Sequence, residues 1–323
     1  MHNQSTRLGP LSLLLCATLL LPLTAKAKDD HSITYDPCTP SQNAGTTCLL
    51  KASEIRPTQA NVGVMQVQCK YNKFIEKDGP AMGDYLNAYA HHVPAIIGPD
   101  GNFYITDHHH MSTALWLTQE QGKHTSWDLR INILETHFSG QKDDSEKTMA
   151  TFWQYMEDNN FAYLYNNGTP ITWQELPTNL AGLTDDPYRS QAGLQKNEGL
   201  YGFIKPATNA MFFLEFKWGN LMRSNRILGD SPTAIPACEL NVDDNNLWYQ
   251  PGQGNTCAQQ ADLQQEQLRA AYNLLTSSCA AAAMVPECMH SMEGVKQLCG
   301  YNPNPDFPEN IRITHKCNIK PAE

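Results

Sequence analysis

Residues 103–116 read FYITDHHHMSTALW, a stretch that has only one easy local solution: a short strand, a turn and a buried helix. Phe103, Tyr104 and Ile105 suit a strand, while Ala114, Leu115 and Trp116 suit the inner side of a helix, so Asp107, His108, His109 and His110 fall at the junction. The start of a helix presents unpaired backbone N–H groups and a partial positive charge, and imidazoles placed there stand beside any anion that docks on it. Asp107 is placed to cap the helix, with His110 at its third position, or to orient a neighbouring imidazole by accepting its N–H.

The surrounding chain repeats this mixture of short apolar runs and turns. Ala95-Ile96-Ile97 and Phe103-Tyr104-Ile105 flank Gly98-Pro99-Asp100-Gly101, which reads as a hairpin turn. Val64-Met65-Gln66-Val67 reads as a strand. Residues 126–160 read as helical, with Met149, Phe152, Trp153 and Met156 recurring every three or four positions as a core stripe. Beyond Leu228, Gly229-Asp230-Ser231-Pro232 marks a boundary, after which Leu268, Ala271, Tyr272, Leu275 and Cys279 share one helical face. The fold class expected is α+β, a small mixed sheet with helices followed by a mostly helical, disulfide-stapled C-terminal region. The divisions are residues 1–27, 28–50 as a lead-in, 51–228 as the main domain and 229–323 as a cysteine-rich extension.

The N-terminus has Arg7, an apolar run over residues 11–23 and Ala25-Lys26-Ala27, the three parts of a secretory signal peptide with cleavage after Ala27. The expected location is secreted or periplasmic, with no membrane attachment after cleavage. Ten cysteines become nine when Cys16 is lost, a number that in an exported chain implies disulfides. Cys38 and Cys48 stand alone near the mature N-terminus and form the natural first pair, six crowd the last third, and Cys69 is the one expected to remain unpaired. The net charge is −10, and no basic run occurs, so strong counterion-release binding to duplex DNA is not expected. A phosphate-containing small molecule or a short nucleic acid in one local pocket is compatible with that charge.

The run Glu54-Ile55-Arg56-Pro57-Thr58-Gln59, Val62-Gly63, Lys70 and the Val93-to-Gly101 stretch, followed by the DHHH turn, resembles the putative ParB-like nuclease family, a distant branch of the ParB/sulfiredoxin superfamily. Asp186-Pro187-Tyr188-Arg189-Ser190 and Phe213-Leu214-Glu215-Phe216-Lys217-Trp218 continue the resemblance, which covers about residues 50–228. It implies a ParB/sulfiredoxin-like fold and phosphoester chemistry, a hydrolase of the nuclease type. In ParB and sulfiredoxin relatives the corresponding turn carries glycine, arginine or cysteine, and its backbone approaches nucleotide phosphates. Here His108 stands where glycine would ease that approach, and His110 or Met111 stands where arginine would neutralise charge.

The catalytic candidates are therefore Asp107, His108, His109 and His110, one imidazole acting as general base and another as general acid. Arg56, Thr58, Gln59 and Lys70 are the candidates for phosphate or substrate binding. Adjacent side chains diverge, so a divalent metal, left open as a cofactor, would be shared by His108 and His110 rather than by all three, with His91 and His92 as remote ligands. The competing reading is a non-enzymatic exported module that binds an anion or a protein partner; its sequence feature is the large cysteine-rich extension.

Overall fold

The computed structural model describes residues 34–136, 138, 146–197 and 213–224. The signal-like segment 1–27, the boundary near 228, the helix read after residue 258 and the C-terminal cysteines lie outside those residues. Six α-helices are described, besides short 3-10 turns: α1 (Val64–Ile75), α2 (Gly79–Asn87), α3 (His109–Glu120), α4 (Glu146–Asp158), α5 (Pro187–Asn197) and α6 (Leu214–Ser224). The central sheet is built from β1 (Thr47–Leu50), β2 (Ile55–Pro57), β4 (Val93–Ile97), β5 (Phe103–Ile105) and β6 (Leu129–Glu135), in the order β1-β6-β4-β5-β2. Two small pairs complete the described strands: β3 (Asn61–Val62) with β9 (Thr184–Asp185), and β7 (Tyr165–Asn166) with β8 (Thr169–Pro170).

The sheet is mixed, as expected. β4 and β5 run antiparallel across the Gly98–Gly101 turn, with Ala95 opposite Ile105 and Ile97 opposite Phe103. β2 lies parallel to β5, bringing Arg56 opposite Tyr104 and Pro57 opposite Ile105. β6 is parallel to β4 and antiparallel to β1. β1 thus lies at one end of the strand order and β2 at the other, and the disulfide from Cys38 to Cys48 ties the chain before β1 onto its edge.

Alternation along the strands separates two apolar layers. Val93, Ala95, Ile97, Phe103 and Ile105 face α1, α2 and α3, meeting Val67, Phe74, Met82, Leu86 and Leu115 in one core. Ile96 and Tyr104 face the other way, onto the Met149, Phe152, Trp153 and Met156 stripe of α4, where Tyr104 and Phe152 pack at 4.9 Å between ring centroids. α1 packs on α3 and α5, and α5 packs on α6.

Two local expectations are corrected. Residues 64–75 form a helix rather than a strand: Val64, Val67, Tyr71 and Phe74 recur at helical spacing on its buried side, and Gly63 supplies the extended residue that starts it. The stretch 126–160 is not continuously helical, because residues 129–135 form β6, in which Leu129, Ile131 and Ile133 alternate with Arg130, Asn132 and Leu134. The β period of two was hidden by the stronger helical stripe that follows it.

Candidate functional site at the histidine turn

β5 ends at Ile105 and α3 begins at His109, so the DHHH sequence is the strand-to-helix turn. His108 is the residue before the helix and has a left-handed backbone, φ 65° and ψ 19°. Such a conformation costs a β-carbon-bearing residue about 1–2 kcal/mol and is retained here because the ring is pinned on both sides. Its Nε2 donates to the Ala90 carbonyl at 3.0 Å, its backbone N–H donates to the Asp107 carboxylate at 2.6 Å, and its Nδ1 lies 3.5 Å from the other Asp107 oxygen. Asp107 therefore folds its carboxylate back onto His108 and caps no N–H deeper in the helix. The expected cap is corrected in that respect; the carboxylate instead lies beside the His108 ring as a charge partner.

The three imidazoles have separate environments. His109 is 2% exposed, and its Nε2 accepts the Thr58 backbone N–H at 3.1 Å, which places the ring proton on Nδ1. Complete burial lowers its pKa to about 3, with the His108 and Arg189 charges acting in the same direction and Asp107 opposing. His110 is also buried, and its Nε2 accepts the Gly63 N–H at 2.9 Å, just where α1 starts. His108, by contrast, keeps 25% of its side chain exposed. Burial alone would lower its pKa, but the Asp107 carboxylate and the Ala90 carbonyl outweigh that and raise it. Asp107 is 54% exposed; its partial desolvation is outweighed by hydrogen bonding and charge from His108, which hold its pKa below the ordinary carboxylate value.

The RPTQ segment serves this turn from below. The Thr58 hydroxyl donates to the Ile105 carbonyl at 2.8 Å, and Thr58 and Gln59 are both buried. Gln59 donates to the Asn61 carbonyl at 2.6 Å, and the Arg56 guanidinium donates to the Thr178 carbonyl. Of the four binding candidates, Thr58 meets the histidine turn directly, Arg56 and Gln59 are held by other segments, and Lys70 stands on α1 close enough for its charge to act on His108 and His91. The Nε2 atoms of His108 and His110, the pair considered for a metal, face different segments, Ala90 and Gly63. No group of three or more His, Cys, Asp or Glu able to hold a metal occurs among the described residues.

A second buried polar cluster fixes the start of α1 and α5. Asp185 accepts the Val64 N–H at 2.9 Å, and Asp186 accepts the Tyr188 N–H at 2.9 Å and the Arg189 N–H at 3.1 Å, which caps α5. Arg223 reaches Asp186 from α6 at 2.7 Å. Arg189 pairs with Glu215 at 3.8 Å and also meets Gln66. Gly63 is required beside this cluster: a β-carbon there would lie 2.8 Å from the Ser190 backbone.

Next to the turn, between α1 and α2, lies a cleft of about 640 Å³ lined by Lys70, Lys73, Lys77, Tyr85 and His91 among others. His91 stacks on Tyr85 with ring centroids 3.7 Å apart, and its Nδ1 donates to the Tyr85 carbonyl at 2.6 Å, so its Nε2 carries the lone pair. Burial lowers the His91 pKa; the Tyr85 carbonyl opposes, and the charges of His108, Lys70 and Lys77 lower it further. From sequence alone His91 reads only as a remote metal ligand, and Lys73, Lys77 and Tyr85 do not stand out. The signal was the spacing of Lys70, Lys73 and Lys77, which becomes one helix face and its continuation once residues 64–75 are helical.

Cys69 was expected to be the free thiol, and this is corrected: it is disulfide-bonded, its partner lying outside the described residues. It is 3% exposed on the inner part of α1.

Fold and turn together define a mixed-sheet domain organised around a strand-to-helix junction rich in imidazoles. The family profile described as putative ParB-like nuclease matches residues 48–224, close to the 50–228 read from sequence, and the chain belongs to that family. Among solved structures, protein Atu1540 from Agrobacterium tumefaciens is similar, with 21% identity, a TM-score of 0.47, and coverage of 71% of this chain and 92% of that one. No curated protein matches the chain.

Proposed function

We propose that the protein is an exported phosphoesterase of the nuclease type, acting on a phosphate-containing small molecule or short nucleic acid at the face shared by the histidine turn and the adjacent cleft. The observation that carries this reading is the division of the imidazoles. His109 and His110 spend their Nε2 lone pairs on backbone N–H groups. His108 is favoured as a cation while His91 is favoured neutral, and the two are near enough for each to feel the other's charge. Two titratable groups driven apart in this way supply complementary roles in acid–base chemistry.

In the proposed step, His91 Nε2 accepts a proton from a water whose oxygen forms the new bond to phosphorus. The bond from phosphorus to the leaving oxygen breaks, and that oxygen takes a proton from solvent. The His108 imidazolium and Lys70 stabilise the charge on the phosphoryl oxygens, and Asp107 holds His108 in its charged form. His109 and His110 act as positioning residues that latch the turn to Thr58 and Gly63. Export is supported by the signal-like N-terminus and by disulfides at Cys38–Cys48 and Cys69, which an oxidising compartment maintains.

The test is turnover by the purified disulfide-bonded protein on nucleotides, phosphodiester dyes and single-stranded oligonucleotides, with and without divalent cations. His91→Ala and His108→Ala should each lower kcat by about 10²–10⁴-fold. Turnover that survives both substitutions defeats the assignment, and saturable binding without turnover favours the anion-binding module instead.

A further inference from the structure

The cleft beside the turn holds more positive charge than the hydrolytic step uses. Lys70 and Lys73 lie on the last turns of α1 and Lys77 just past its end, all three on the cleft wall. Lys70 and Lys73 are separated by roughly 4.5 Å along the helix axis and Lys77 follows past its end, so the three lysines are spread along the wall rather than gathered at a point. Among the described residues, Glu76 and Asp78 are the carboxylates on the same wall. The Asp78 carboxylate is committed to the Ala81 N–H at 2.8 Å, where it caps α2. Among the described residues the lining carries three lysines against two carboxylates, in a chain whose net charge is −10. The simplest alternative is that cations near a helix C-terminus answer the helix dipole. That explains Lys73, in the last turn, but not the gathering of Lys70, Lys77 and His91 on one concavity.

The remaining lining is organised for contact. His91 is stacked on Tyr85 and fixed through Nδ1, and Lys77 sits over the other ring of that stack, 5.4 Å from the Tyr85 centroid. We propose that this cleft is an oligophosphate-binding subsite: two or more linked phosphoryl groups of a small molecule lie along the end of α1, held by Lys70, Lys73 and Lys77, with the terminal group at His91. This deepens the phosphoesterase reading by naming the substrate class, and rests on it only for the reaction, not for binding.

Calorimetric titration of the whole disulfide-bonded protein with inorganic pyrophosphate, inorganic tripolyphosphate and inorganic monophosphate tests the subsite, with the His91 imidazole followed by NMR. Pyrophosphate and tripolyphosphate should bind more tightly than monophosphate and should displace the His91 ring resonances. The double variant K73Q/K77Q, which alters only side chains at the cleft wall and should keep the near-UV spectrum, should weaken pyrophosphate about five- to tenfold. Unmoved His91 resonances at millimolar pyrophosphate, or equal affinity in the double variant, overturns the proposal. Phosphoester turnover without pyrophosphate binding would sink the subsite alone, whereas pyrophosphate binding without any turnover would sink the hydrolase reading and leave the subsite.

Discussion

Replacing His109 with glutamine separates a structural histidine from a catalytic one. The glutamine side-chain oxygen can still accept the Thr58 N–H that His109 Nε2 accepts at 3.1 Å, but it does not titrate. The wild-type ring has its pKa lowered from 6.5 to about 3 in the folded chain. Between those values the unfolded chain binds a proton that the folded one does not, so the contribution is fully present above pH 6.5 and is lost as pH falls towards 3. The loss proceeds at up to about 1.4 kcal/mol per pH unit and reaches about 5 kcal/mol in all, comparable with the whole stability of many domains. At pH 7 His109→Gln should cost about 1–3 kcal/mol through imperfect filling of the buried site. Urea unfolding of both proteins at pH 7, 6 and 5 should then show the wild type losing about 0.7 kcal/mol relative to the variant in the first step and about 1.2 kcal/mol in the second. A gap that stays constant with pH would refute the assignment of His109 as a buried neutral latch.

Three further outcomes follow from the same contacts. Asp107→Asn removes the carboxylate that raises the His108 pKa, so His108 should titrate at lower pH by NMR; the stability the pair contributes is present below pH 6.5 and lost as pH rises through the folded value, so wild type and variant should converge in alkaline solution. Gly63→Ala puts a β-carbon 2.8 Å from the Ser190 backbone and should cost about 1–3 kcal/mol in denaturant unfolding, with the Gly63-to-His110 bond disturbed in amide exchange. Arg223→Ala leaves the Asp186 carboxylate, buried at 3% side-chain exposure, without its guanidinium partner and should lower stability by about 3 kcal/mol.

The turn was legible because its neighbours were unambiguous: three apolar strand residues before it and Ala114, Leu115 and Trp116 after it. The hairpin across Gly98–Gly101 was legible for the same reason, since glycine and proline punctuate two apolar runs. Helix α1 was not, because Val64-Met65-Gln66-Val67 has no distinctive four-residue pattern and its helical stripe shows only when Tyr71 and Phe74 are included. That misreading concealed the lysine row and, with it, the cleft. Nor could sequence divide the labour among three adjacent histidines. Their roles depend on Thr58, Gly63 and Ala90, which lie 51, 47 and 18 residues away along the chain. Cys69 was misjudged because burial in a helix and pairing with a distant cysteine leave no local trace.

The division of the imidazoles is most directly examined by nitrogen-resolved NMR of the histidine rings in the intact protein across pH 4 to 8. The His108 midpoint should lie above 6.5, while His109 stays neutral, protonated on Nδ1, down to near pH 4. A His109 ring that titrates near 6.5, or a His108 ring that is neutral there, would contradict the account.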